Sequence, residues 1–427
     1  MMILPNLRSY EKYAAVPPAP GSLPLSNPLL RVAALVDPDL GAALAGECTL
    51  LPLDREDWDA ALTAFHPNFL LTQPLDPPPD YTLLAQCCRA HGIPTIFWDT
   101  TGDARCDAAF LFDVIFAAHA HSLPLYEDVD HGKKAIFLPH GISLRRNGPI
   151  NTTHFARRDL SPSPAELRCL RHDCTHNTYT ARLATMLRLL GCEDALPPRP
   201  GVTILTATNK PDSMETVFAN YDRQRYTPRE MVVLLNDDSM DLDAWRARAA
   251  QSEHVTVLRV DERLPLGRCL NEGLANSGAP YVTKFDDDNY YAPEFLTDLM
   301  NAFPYAGVEI IGKLSYFCYF EGSGTLALLC PGMENRYVRF VSGSGLVIRR
   351  SVFDSVRFGN KPQGSDSVFL RDCVRQGVRM YSADHFNYVY VRRASKARHT
   401  FKISDEVLLR SCQFVAQTPD FHALVTV

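Results

Sequence analysis

Short apolar runs that end in polar or acidic residues, separated by helix-like stretches, restrict the fold of this chain more than any other feature. In the first third they are "LRVAALVD" (30–37), "NFLLTQ" (68–73), "PTIFWDT" (94–100), "DVIFAAHA" (113–120) and "AIFLPHG" (135–141). Their β-branched and aromatic content suits buried strands. Segments such as "YTLLAQCCRAHG" between them read as helices, so β and α elements alternate around a mostly parallel sheet. This part contains no G-x-G-x-x-G, which gives a dinucleotide-binding reading little support.

The pattern stops at 151–200, where a Ser/Pro start, a long helical pattern and a Gly stop at Gly191 read as a helical connector ending in the linker "PPRP". It resumes with "GVTILTATNKPD" (201–212), "EMVVLLNDDS" (230–239), "HVTVLRV" (254–260), a helix "LGRCLNEGLANSG" (266–278) and "YVTKFDDD" (281–288). Polar residues gathered at the carboxyl ends of such strands mark where an open α/β sheet binds a ligand. The expected organisation is an extended segment 1–29, a Rossmann-like α/β domain 30–150, the connector 151–200, a catalytic domain 201–408 and a tail 409–427.

At 427 residues, 46% hydrophobic and 22% charged, the chain can fill two or three cores. Its net charge of −6, with no strongly basic block, argues against nucleic acid as a partner. Twelve cysteines lie scattered without a C-x-x-C pair and are expected to be buried, reduced thiols. The Pro-rich N-terminus does not read as a secretory signal, and no run of 18 apolar residues occurs. A cytoplasmic location follows as the expectation, with peripheral attachment to the inner face of a membrane left open.

Three consecutive carboxylates, Asp286, Asp287 and Asp288, close an apolar strand. Like charges repel and buried charge is costly, so a compensating partner is required. Strand alternation puts Asp286 and Asp288 on one face, about 6–7 Å apart along the chain. Two hard oxygen ligands so placed suit Mg²⁺ or Mn²⁺ bridging to phosphate oxygens. Read without context, "DDDN" is equally a solvated turn.

Four stretches, "LTATNKPD", "VVLLNDDSMD", "LGRCLNEGLANSGAPYVTKFDDD" and "GSDSVFLRDCVRQG", follow one another over about 200 residues. In order and spacing they resemble the catalytic domain of the large inverting glycosyltransferase family with a type-A fold. The resemblance implies a nucleotide-diphospho-sugar transferase fold, with a Rossmann-like α/β domain before it. It assigns Thr206, Thr208 and Asn209 to the loop lining the nucleotide, Asn236 or Asp237 to the nucleobase, and Gly267, Arg268 and Asn271 to the helix beneath the diphosphate, with Asp286 and Asp287 also on the nucleotide side. It assigns Asp286, Asp288 and the late His399 to the metal, Mn²⁺ or Mg²⁺, and Gly343, Ser344 and Gly345 to a turn close to the donor sugar. Asp366 is the expected general base, in the first turn of a helix with Ser365 as N-cap and Gly377 as stop. The family pairs that base with a glutamate, where this chain has Ser365.

Residues 30–150 loosely resemble the glycosyltransferase-like domain of spore-maturation proteins, related to one half of a type-B enzyme. One half cannot enclose a donor, so this domain is expected to be non-catalytic and to hold the acceptor, a partner or a second copy of the chain. The implied reaction is inverting transfer of a sugar, a UDP-sugar first among donors, to a glycan, lipid-linked or protein acceptor in surface glycan or glycoconjugate synthesis. A non-catalytic nucleotide-sugar-binding module and a sugar-phosphate nucleotidyltransferase stand as alternatives. The latter requires a Gly-rich phosphate loop, and "TATNKPDS" offers only Lys210.

Overall fold

Each apolar run of the first third forms a strand. The computed structural model describes residues 27–54, 58–127, 133–143, 162–361, 364–394 and 403–427. They fall into two compact units: residues 27–143 with 172–198, and residues 162–171 with 199–427.

In the N-terminal unit six strands, β1 Asn27–Leu35, β2 Cys48–Pro52, β3 Phe69–Thr72, β4 Thr95–Asp99, β5 Val114–Ala117 and β6 Ile136–Phe137, form one sheet in the order β2-β1-β3-β4-β5-β6. All its pairings are parallel. Side chains alternate between two cores, as a sheet covered on both faces requires. Val32, Phe69, Leu71, Ile96 and Trp98 enter one core, and Ala33, Leu70, Phe97 and Ile115 enter the other. Leu183, Met186 and Leu187 of the helix Tyr179–Leu189 complete the first core. That helix lies in the stretch expected to be a connector. Its apolar face packs it into the N-terminal unit, in line with its resemblance to the helix that ends such domains.

The C-terminal unit holds an eight-stranded sheet in the order β15-β17-β12-β16-β10-β7-β8-β9. Its strands are β7 Val202–Thr208, β8 Arg229–Leu235, β9 Val255–Arg259, β10 Tyr281–Lys284, β12 Ile310–Gly312, β15 Arg336–Val338, β16 Leu346–Arg349 and β17 Met380–Ser382. Strands β10, β7, β8 and β9 are parallel neighbours, whereas β16 runs antiparallel to β10 and β12. The carboxyl ends of β7, β8 and β10 therefore meet the amino end of β16 along one rim. A second, five-stranded sheet joins β11 Tyr290–Tyr291, β18 Tyr388–Arg392, β13 Tyr316–Phe320, β14 Thr325–Leu329 and β19 Cys412–Gln417. Residues 409–427, expected as a tail, contribute β19, which pairs with β14, and Val425, which is fully buried. This segment belongs to the fold through the backbone pairing of β19 with β14 and the burial of Phe421 and Val425.

No disulfide joins any of the twelve cysteines, six are buried, and Cys169 departs from expectation by being exposed. No described helix is long and apolar enough to cross a membrane.

Candidate active site

The three aspartates are compensated by two lysines. Strand β10 ends at Lys284, and residues 287–289 turn, so the alternation expected to put Asp286 and Asp288 on one face does not persist. Lys210 Nζ lies 2.8 Å from Asp287 Oδ1 and 2.9 Å from Asp288 Oδ2. Lys284 Nζ lies 3.0 Å from Asp286 Oδ1 and 2.7 Å from Asp366 Oδ2. Burial alone would lower both lysine pKa values; the flanking carboxylates outweigh it and raise them, so both ammonium groups stay charged.

Lys284 thus joins the strand tip to the expected base. Asp366 sits in the first turn of the helix Ser365–Arg375, with Gly364 as N-cap at φ 73 where Ser365 was expected. A left-handed backbone is cheap for glycine, which explains the exchange. Gly377, at φ 76, follows the C-cap Gln376 and ends the helix as expected. Burial raises the Asp366 pKa, Lys284 opposes this and Asp286 adds to it. Asp366 Oδ1 is buried with no hydrogen-bond partner among the described residues. Polar atoms kept in that condition concentrate where function demands them.

The Gly343–Gly345 turn packs directly on this carboxylate. A Cβ at Gly343 would lie 2.5 Å from Asp366 Cβ and 2.7 Å from its Cγ. Ser344 Oγ is 2.8 Å from Tyr388 Oη, and Asn289 Nδ2 reaches Ser344 Oγ, Tyr388 Oη and Asp286 Oδ2 at 3.3, 3.3 and 3.2 Å. Asn289 Oδ1 accepts from Val391 N at 3.1 Å. This buried amide ties β18, the turn and the acid run into one piece.

The remaining expected residues divide between the rim and its support. Thr208 Oγ1 donates to Asp287 Oδ2 at 2.5 Å. Burial raises the Asp287 pKa, Asp288 adds to this, and Lys210 and Thr208 oppose it. Thr206 Oγ1 is buried without a partner among the described residues, and Asn209 is exposed. Asn236 Nδ2 donates to Asp261 O at 2.8 Å. Asp237 accepts from the Ser239 hydroxyl and amide, which lower its pKa. Gly267 and Asn271 meet the 358–359 loop. A Cβ at Gly267 would lie 2.1 Å from Gly359 O. Asn271 donates to Phe358 O at 3.1 Å and accepts from Phe358 N at 3.2 Å. Both engage protein backbone, and Arg268 beside them is exposed. His399 lies outside the described residues.

The sequence reading gave no role to Lys284 or Asn289. A lysine two residues before an acid, inside an otherwise apolar strand, was the available signal, since i and i+2 share a strand face.

Asp286 and Asp288 still fit a divalent ion. Their side chains are 31% and 24% exposed, and Asp288 Oδ1 has no protein partner among the described residues. One or two carboxylates completed by substrate phosphates is the usual way a protein holds Mg²⁺, so a closed protein cage is not required. Among the described residues the one set of three metal-type side chains with ligand atoms within 4.8 Å of one another is elsewhere, at Asp59, Cys87 and His91.

Residues 203–326, which include all of β7 but Val202, together with Lys210, Lys284 and the acid run, match the sequence model of Glycosyl transferase family 2. The protein is a glycosyltransferase. No curated protein matches the chain at the sequence level. Solved structures similar to this glycosyltransferase include the mannosyltransferase PcManGT from Pyrobaculum calidifontis in complex with GDP-Man and Mn²⁺. It is 17% identical, with a TM-score of 0.36 over 55% of this chain and 70% of that one. S. aureus TarS 1-349 is 10% identical, with a TM-score of 0.34 over 45% of this chain and 60% of that one. Likeness at this level says nothing of donor, acceptor or ion.

Proposed function

We propose that the C-terminal unit moves a sugar from a nucleotide diphosphate to an acceptor hydroxyl with inversion, assisted by Mn²⁺ or Mg²⁺. The observation that carries this reading is the Lys284 bridge: one buried ammonium touches both Asp286, on the donor side, and Asp366, the base. Asp286 and Asp288 would hold the ion. When bound, it neutralises charge on the departing diphosphate as a Lewis acid.

The chain's own groups do the rest. Lys210 places one positive charge between Asp287 and Asp288 and offsets their mutual repulsion. Lys284 opposes the burial that would protonate Asp366, and the 24% exposed carboxylate accepts the proton of an attacking hydroxyl. Gly343 leaves room for that carboxylate, and Asn289 with Tyr388 fixes the turn. A UDP-sugar is the first donor to test, and the acceptor class is a glycan, a lipid-linked saccharide or a protein.

The roles separate experimentally. Asp288→Ala and Asp366→Asn should both abolish transfer, and only Asp288→Ala should weaken nucleotide binding in the presence of Mn²⁺. Equal calorimetric affinities in the two variants, or full turnover in the presence of a chelator, would overturn the assignment.

A further inference from the structure

We propose that the N-terminal unit carries its own binding cleft for a neutral saccharide, at the carboxyl ends of β1, β2 and β3. The inference goes beyond the transfer chemistry of the C-terminal unit and does not depend on it. Sheet order β2-β1-β3 means that the chain leaves β1 toward one neighbour and later returns on the other side. Such a reversal of strand order opens a crevice at the strand tips, where open α/β sheets take ligands. An open cleft of about 900 Å³ lies there, lined by the residues that follow these three strands.

The lining chemistry selects the ligand. Its charged members are Asp37, Asp54 and Asp76, with no lysine or arginine. Three carboxylates disfavour a phosphate-bearing ligand by like-charge repulsion. Gln73, only 3% exposed, also lines the cleft. Its Nε2 donates to Asp37 Oδ2 at 2.5 Å, and Asp37 Oδ1 is itself fixed by Leu40 N at 2.8 Å. A carboxylate can only accept, so this bond orients the amide and leaves Gln73 Oε1 as the free end. That oxygen is buried with no hydrogen-bond partner among the described residues.

An unsatisfied buried acceptor beside acceptor-only carboxylates calls for a ligand rich in donors. The rest of the lining, including Leu53, Pro74 and Leu75, is apolar. Hydroxyl donors for the acids and a C–H surface for Leu53, Pro74 and Leu75 together describe a saccharide. A polyamine would also meet the acids, but it carries donors only at its few nitrogens, whereas a saccharide carries one on every hydroxyl.

The test is direct binding by the full-length protein, without turnover. Methyl glycosides of glucose, galactose, mannose and N-acetylglucosamine, with maltose and lactose, are titrated by calorimetry and saturation-transfer NMR. Glucose 1-phosphate and spermidine are the competing arms. At least one neutral saccharide should bind saturably, and Gln73→Leu should weaken it at least tenfold. Asp54 and Asp76 are exposed, so Asp54→Ala/Asp76→Ala carries the test if the buried substitution fails to fold, with the same tenfold loss expected. No saturable binding across the panel, binding unchanged in the double variant, or preference for glucose 1-phosphate or spermidine would each overturn the inference.

Discussion

Replacing Gly343 with alanine puts the catalytic reading under the sharpest test. The added Cβ would sit 2.5 Å from Asp366 Cβ, 2.7 Å from Cγ and 2.7 Å from Oδ2. Carbon pairs are comfortable at about 3.5 Å or more, so about 1 Å must be found. Rotating the carboxylate cannot provide it, because the nearest atom is the stem of the side chain. The turn or the first turn of the helix Ser365–Arg375 must move, taking Asp366 Oδ2 away from Lys284, 2.7 Å distant. Overpacking of this kind costs about 1–3 kcal/mol. A displacement of about 1 Å at a reacting group costs about 100-fold in rate. With an identified donor, Gly343→Ala should lose about 100-fold or more in kcat while the donor KM stays within a few-fold and the melting temperature falls by several degrees. Gly278→Ala is the control, since a Cβ there meets nothing within 4 Å. A folded Gly343→Ala enzyme turning over within threefold of the parent would refute the placement of Asp366 as base.

Three further outcomes are expected. The Asp366 pKa is raised, so kcat/KM should fall with acidity through a value above the ordinary carboxylate pKa of about 4. Lys284→Met should move that limb to still higher pH, because the ammonium is what holds Asp366 down; a limb at or below pH 4 in the parent would contradict this. Asn271→Ala removes both bonds to the Phe358 backbone and should cost about 1–3 kcal/mol of stability, read in denaturant melts, with nucleotide affinity little changed. A large loss of nucleotide affinity would return Asn271 to the nucleotide. Asn289→Ala should lower kcat by more than tenfold with donor binding retained, because the residue links Asp286, Ser344 and Tyr388 and is 2% exposed; an unaltered kcat would remove it from the catalytic support.

What the sequence determined by itself was periodic and local. Apolar runs with polar ends dictated two α/β sheets, because a buried parallel strand must be apolar throughout and its ligand-facing residues gather at one tip. Glycine stops such as Gly191 and Gly377 were equally legible, since a left-handed residue is a local requirement. Tertiary structure alone decided which charges meet. Lys284 pairs with Asp366 across 82 positions and Lys210 with Asp287 across 77, distances over which no periodicity runs. It also turned the chain at 287–289 and brought β19 against β14. Each of those depends on a partner surface that only the folded chain creates. The same holds for Gly343: the family resemblance implied a turn close to the donor sugar, and packing set it against the Asp366 carboxylate.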